Sequence, residues 1–255
     1  MNSSPNPIAR RPLRELPDHL ISQIAAGEVI ERPASVVREL LDNALDAEAT
    51  SITVRLLAGG VRLISVEDDG YGIAPEDLPV ALKRHATSKI ASLDDLESVT
   101  TMGFRGEALA AINAVSDCTL ASRCHPQAHG HQISGQTGEL RPVARARGTT
   151  VEVKELFFNT PARRKFLKTD ATELSHCLEA VRRQALCHPE VGFAVWHDGK
   201  LIQQWRPSVS ENTLEQARLR RMTEVLGQEF MDQSVTLELK EPPSTHLSGS
   251  VGTIR

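Results

Sequence analysis

Hydrophobic positions between Pro33 and Asp46, PASVVRELLDNALD, recur at the spacing of an α-helix. At about 100° per residue, Val36, Val37, Leu40, Leu41, Ala44 and Leu45 gather on one side, and Glu39, Asp42, Asn43 and Asp46 on the other. Pro33 suits the first turn, and Glu39 and Asn43, four residues apart, are neighbours on the polar stripe. Alone, the pattern fits a surface helix whose acidic stripe faces water better than it fits a working face.

The remaining pattern predicts a mixed α/β chain. Asp18 is placed to cap a short helix carrying Leu20, Ile21, Ile24 and Ala25, with Gly27 as its stop. Two β-patterned runs, Ser51 to Leu57 and Val61 to Glu67, flank Gly59-Gly60 and predict an antiparallel hairpin. DDGYGI (68–73) follows, then a polar helical stretch through Lys83 and a long, weakly patterned loop ending near Leu109. Loops of that kind inside compact domains are lids, binding loops or disordered segments. A buried helix is expected over Leu109–Val115, strands over Cys118–Ser122 and Gly148–Val153, and a core helix over Thr172–Leu186. Val191–Trp196 and Leu201–Trp205 flank Asp198-Gly199, a strong hairpin signal.

Residues 1–15, with Pro5, Pro7 and Pro12, read as a mobile arm, and Pro207 to Asn212 as a linker. The helix at Glu215–Leu226 and strands at Ser234–Leu239 and His246–Ile254 are too short to bury a core alone and read as the start of a second domain.

Composition narrows the class. With 255 residues, 40% of them hydrophobic, the chain is globular. Its net charge of −4 gives no overall nucleic-acid footprint, although a local patch is open. Arg163, Arg164, Lys165, Lys168, Arg182, Arg183, Arg218, Arg220 and Arg221 are either such a phosphate-binding surface or ordinary solvated charge. Cysteines at 118, 124, 177 and 187 form no CxxC, which predicts free thiols and a reducing, cytoplasmic compartment. No apolar signal region or long apolar run predicts a leader or a membrane span. Cys124, His125, His129 and His131 cluster locally, but their spacing fits no standard zinc site.

Two glycine-bearing motifs carry possible chemistry. Asp68, with Gly70 and Gly72 directly after a strand, is held at a sharp turn, where an ionised carboxylate offers only acceptors and could select an amine. The same turn is equally explicable as structure. Gly103 and Gly106 in GFRGEAL either let backbone amides approach an anion at a helix start or act as hinges. No GxxxxGK[ST] sequence is present, so a phosphate cradle would need another design.

An E-x-x-x-N helix, a D-x-G-x-G turn, a G-x-x-G segment and a later GT on a strand, in that order, resemble the GHKL superfamily of ATP sites. Within it the wording is most similar to the MutL mismatch-repair proteins: QIAAGEVIERPASVVRELLDNALDA (23–47), RHATSKI (84–90), GFRGEALAAI (103–112) and FFNTPARRKFL (157–167). The resemblance spans roughly Leu16 to Ile254 and is weakest from Cys124 to Arg147.

The resemblance implies a two-layer α/β sandwich with helices over one face of a mixed, mainly antiparallel sheet. It implies an ATPase domain over 16–207 and the beginning of a transducer domain, cut short, over 208–255. By the same implication Glu39 is the base that activates water, Asn43 the protein ligand of Mg²⁺, and Asp68 the partner of the adenine amine, helped by Thr149 through a water. Gly70 and Gly72 bring backbone close to the base, and Thr87, Ser88, Lys89, Gly103, Arg105, Gly106, Glu107, Ala108 and Leu109 form the lid over the phosphates. Asp69 stands where many members have Asn. ATP and Mg²⁺ are the implied cofactors. The implied partners are the DNA backbone, the mismatch-recognition protein MutS, a downstream nuclease and helicase, and a second copy joined on ATP binding, with cytoplasmic, nucleoid-associated location. The rival readings are a sensor-kinase or topoisomerase module, or a nucleotide-gated binding module without turnover.

Overall fold

Period-two alternation builds the centre of the molecule. The computed structural model describes residues 15, 17–84, 86, 106–208, 213–240 and 246–252. Strands β1 (Ser51–Leu57), β2 (Leu63–Asp68), β3 (Asp117–Arg123), β4 (Gly130–Ser134), β5 (Leu140–Val143), β6 (Gly148–Lys154), β7 (Gly192–His197) and β8 (Lys200–Trp205) form one sheet. Its order is β5-β4-β3-β6-β2-β1-β7-β8. β1 and β7 pair in parallel, and the other neighbours are antiparallel. The registers place Ile52 beside Phe193, Val54 between Val195 and Val66, and Val151 between Val66 and Leu120. All of these are buried, so one face of the sheet is continuously apolar.

Helices α1 (Asp18–Val29), α2 (Pro33–Asp46), α4 (Ala108–Val115) and α6 (Asp170–Cys187) supply the second layer, with α2 on β2 and beside α6, and α1 against α4. This is the expected two-layer sandwich. Val36, Val37, Leu40 and Leu41 of α2 are at most 2% exposed. Each such side chain contributes roughly 1.5–3 kcal/mol on burial. That side anchors the helix, whose N-terminus has no side-chain cap. The shorter helices are α3 (Leu78–Ala81), α5 (Pro161–Arg164), α7 (Leu214–Leu226) and α8 (Gln228–Asp232), and β9 (Ser234–Lys240) pairs with β10 (His246–Gly252) in a separate antiparallel ribbon.

Local expectations shift in several places. Asp18 is the first helical residue of α1, and Pro17 stands at the cap position. Gly27 lies within that helix and does not stop it, because a Cβ there would fall on the guanidinium of Arg163, which crosses the helix and donates to the Ile30 carbonyl. The second hairpin strand begins at Leu63, since a 3₁₀ turn, Ala58–Gly60, occupies the connection. The segment least like any pattern holds β4 and β5, the two outermost strands at that end of the sheet, in which Ile133 is the one buried large apolar residue. Asp42 turns away from water: it is 8% exposed and accepts from Gln184 Nε2 of α6 at 2.5 Å. The four cysteines are free, and burial pushes the Cys118 and Cys177 thiols up to about 12, which makes them unreactive.

Arg221 of α7, grouped by sequence with a phosphate-binding surface, is 0% exposed. Its guanidinium donates to the carbonyls of Ala185, His188, Pro189, Val191 and Arg206 at 2.8–3.2 Å. Residue 189 is proline, so the Ala185 carbonyl has no amide four residues on to accept from, and a cation at the negative end of α6 takes its place. Replacing Arg221 with Met strands these acceptors and is expected to lower the unfolding free energy by about 3 kcal/mol or more in a urea titration.

Candidate functional site

The apolar sheet face ends in a polar row. Two residues beyond Val66 on β2, beyond Leu120 on β3 and before Val151 on β6, the same face presents Asp68, Ser122 and Thr149, each buried. Asp68 Oδ1 accepts from the amides of Gly70 at 2.9 Å and Thr149 at 3.1 Å. Ser122 Oγ accepts from the Ile73 amide at 2.7 Å, donates to the Gly148 carbonyl at 2.9 Å and lies 2.9 Å from Thr149 Oγ1. A hydroxyl has one proton. With that of Ser122 on Gly148, Thr149 must donate to Ser122, which leaves only acceptor capacity on Thr149 Oγ1.

The turn after β2 fastens this row to α2. Asp69 Oδ1 accepts from the amides of Thr50 and Ser51 at 2.7 and 2.9 Å, and Oδ2 from the Thr50 hydroxyl at 2.6 Å. Tyr71 donates its amide to Ala47, the residue that closes α2, at 3.0 Å. Gly72 has φ +77°, and a Cβ on it would stand 2.3 Å from the Arg123 carbonyl. Its first requirement is therefore close approach to β3. Gly148, φ +111°, meets the Asp68 carbonyl in the same way.

Electrostatics follow from burial. Desolvation raises the Asp68 carboxyl above the ordinary range, against the Gly70 and Thr149 amides and the Arg145 guanidinium, which lower it. Arg145 Nη2 reaches the Asp68 carbonyl at 3.3 Å and Thr150 Oγ1 at 2.8 Å. Asp69 is shifted the other way: burial raises it, but the Thr50 hydroxyl and the Ser51 and Thr50 amides prevail.

Glu39 and Asn43, one turn apart on α2, are half-buried, and Arg38 lies 3.4 Å from the Glu39 carboxylate. Both offer the oxygen ligands that a hard divalent cation takes. Of the predicted lid, Gly106 has φ +60°, Glu107 stands at the N-cap of α4, and Ala108 and Leu109 begin that helix. Thr87, Ser88, Lys89, Gly103 and Arg105 lie outside the described residues. Among the described residues, which include those at 124–131, no group of three or more His, Cys, Asp and Glu is placed to hold a metal ion. Among them, too, no helix is long and apolar enough to cross a membrane. A separate cavity of about 360 Å³ between α1 and α4 includes Glu107 but none of Glu39, Asn43, Asp68 or Thr149. The mutually ordered acceptors lie with Asp68 and Thr149, outside this cavity.

Sequence reasoning missed Ser122 and Arg145. Ser122 was findable, as a polar residue at an inward position of a strand whose other inward residues are Cys118 and Leu120. Arg145 lies in the patternless segment and carries no such signal.

A family model described as histidine kinase-, DNA gyrase B- and HSP90-like ATPase matches residues 30–146. The DNA mismatch repair protein MutL of Ralstonia nicotianae is 58% identical over 222 residues, covering 87% of this chain and 34% of that protein. MutL of Herminiimonas arsenicoxydans is 54% identical over 248 residues, covering 95% and 39%. The solved MutL ATPase domain of Aquifex aeolicus, complexed with ADP, is 35% identical with a TM-score of 0.63, and the match covers 83% of this chain and 73% of that one. The chain belongs to the MutL family. It spans 34% and 39% of the two curated MutL relatives. The matched ATPase model contains Glu39, Asn43, Asp68 and Gly72 and stops before Thr149.

Asp69 gives the site a pH signature. Its lowered carboxyl contributes stability that is complete above the unfolded value of 3.8 and is lost as pH falls through the lower folded value. Asp69→Ala is expected to destabilise the chain by about 1–2 kcal/mol at neutral pH, a charged hydrogen-bond figure discounted for exposure. In thermal melts the gap between parent and variant should close only below pH 3.8.

Proposed function

We propose that this chain is the ATP-binding and ATP-hydrolysing switch region of a MutL-family mismatch-repair protein. One observation carries the reading: a buried carboxylate, Asp68, whose hydrogen bonds from the protein fall on Oδ1, beside a Thr149 hydroxyl left with acceptor capacity. An acceptor-only pair suits the exocyclic amine of adenine, a donor. The ADP bound to the A. aeolicus relative supports the same ligand class.

In this reading Asp68 binds the adenine amine directly and Thr149 assists through a water. Asn43 holds Mg²⁺ through its amide oxygen, and Glu39 orients and deprotonates the attacking water. Bound Mg·ATP supplies the scissile phosphoanhydride and the charge that the lid must neutralise. Thr87, Ser88, Lys89, Gly103, Arg105, Gly106, Glu107, Ala108 and Leu109 close over the phosphates with amides and cationic groups. Two such domains pair on ATP binding, and hydrolysis releases them, in the manner of a switch more than a metabolic enzyme. Residues 16–207 form the ATPase domain, and 208–255 begin a second, transducer domain. Of the basic group, Lys165, Lys168, Arg182 and Arg218 are exposed and offered to a DNA backbone, whereas Arg164, Arg183 and Arg220 are exposed but ion-paired with Glu155, Glu179 and Glu224. MutS and a downstream nuclease and helicase are the partners, in the cytoplasm at the nucleoid.

The test is binding of a non-hydrolysable ATP analogue with and without Mg²⁺, read together with the monomer-to-dimer shift by light scattering. Tight, Mg²⁺-strengthened binding with dimerisation supports the reading, and no binding sinks it. Asp68→Asn should weaken binding by about tenfold or more, because it swaps an acceptor oxygen for a donor. Its melting temperature at neutral pH should hold, since the raised Asp68 carboxyl disfavours the ionised fold and an amide oxygen still accepts both amides. Glu39→Ala should bind as the parent does and lose about a hundredfold or more in turnover. Unchanged steady-state hydrolysis would rule out Glu39 as the base.

A further inference from the structure

We infer that Asp42 and Gln184 are positioning residues for ATP hydrolysis: their buried hydrogen bond fixes how α2 is rotated about its axis, and so where Glu39 and Asn43 stand. The inference rests on the ATPase reading given above.

Asp42 lies between Glu39 and Asn43 in sequence, on the flank of α2 that meets α6. It is 8% exposed and Gln184 is 7% exposed, and Gln184 Nε2 donates to Asp42 Oδ1 at 2.5 Å. The other groups that α2 buries are Pro33, Val36, Val37, Leu40, Leu41 and Ala44. Apolar contacts of that kind tolerate repacking and do not define a unique rotation. A hydrogen bond to a carboxylate is directional, and a buried polar pair is well suited to setting register. On a helix about 10–12 Å across, a rotation of about 20° moves a side-chain tip by roughly 2 Å. A displacement of about 1 Å is enough to cost a reacting group on the order of a hundredfold in rate.

The α6 end of this bond is itself held. Ala185, the residue after Gln184, gives its carbonyl to Arg221 of α7 at 2.8 Å, and that carbonyl is available because Pro189 has no amide. One turn of α6 thus takes a clamp from α7 on one side and holds α2 on the other. Helix α7 follows residue 207, where the second domain is proposed to begin, so its placement bears on Glu39 and Asn43 through two buried contacts.

The experiment measures kcat and KM for ATP in the 255-residue chain and three variants. Gln184→Met keeps size and removes the donor, and Gln184→Glu sets two carboxylates face to face. Gln184→Glu combined with Asp42→Asn restores a hydrogen bond with its polarity reversed. The expectation is a fall in kcat of about tenfold to a hundredfold in each single variant, with KM within about threefold, and recovery of most of kcat in the double variant. A purely structural contact would instead lower melting temperature, kcat and binding in step and show no recovery. That result, or parental kcat in Gln184→Met and Gln184→Glu, overturns the inference. Glu39→Ala, run in parallel, separates the two levels. If it leaves turnover unchanged, Glu39 is not the base and the positioning role falls with that assignment. If it abolishes turnover while both single variants at 184 keep the parental kcat, only the positioning role falls.

Discussion

Burying a carboxyl at the rim of an apolar sheet face is unfavourable by itself, and the Asp68 carboxyl is raised above the ordinary range for that reason. What offsets the burial is local and geometric. The Gly70 amide reaches Oδ1 only because the chain turns sharply after β2, and the Thr149 amide only because β6 enters the sheet through Gly148 at φ +111°. A side chain at 148 would stand 2.0 Å from the Asp68 carbonyl. The buried Asp68 carboxyl and the strand pairing that supports it are thus one arrangement.

The same turn explains why α2 can serve two masters. Its apolar side belongs to the core, through Val36, Val37, Leu40 and Leu41, while its end is tied to the turn by Tyr71 on Ala47 and by Asp69 on Thr50 and Ser51. The helix that carries Glu39 and Asn43 and the strand end that carries Asp68 cannot drift apart without breaking these bonds. Asp69 in place of Asn suits this duty: a carboxylate accepts two amides on one oxygen and a hydroxyl on the other.

Much of this was legible in the sequence, for identifiable reasons. The α2 side that packs inward and the inward residues of β1 and β6 follow from periodicity, because each buries one face and leaves the other polar, and the hairpin around Asp198-Gly199 follows from its turn residues. The order of Glu39, Asn43, Asp68, Gly72, Gly106 and Thr149 pointed to the family where no single motif did. What stayed hidden depends on contacts between distant segments. Periodicity put Asp42 on the polar stripe, but α6 lies against that flank, and nothing in residues 33–46 announces Gln184. β4 and β5 escaped notice because these two outermost strands bury too little to alternate clearly. Gly27 looked like a helix stop because the arginine that needs its space comes 136 positions later, at Arg163.

Arg221 shows most plainly why a count of charges misleads. In sequence it is the second of an Arg-Arg pair on an amphipathic helix, and its neighbour Arg220 is exposed and paired with Glu224. One residue's rotation of the helix separates a solvated cation from a fully buried one. Burying a guanidinium against carbonyls is tolerable only where several orphaned acceptors converge. Pro189 creates one of them, by withholding an amide from Ala185, and the end of α6 supplies another at His188. A proline that ends one helix therefore makes the socket for an arginine on another. Through Gln184 and Asp42, that socket lies two contacts from the helix on which the proposed chemistry depends.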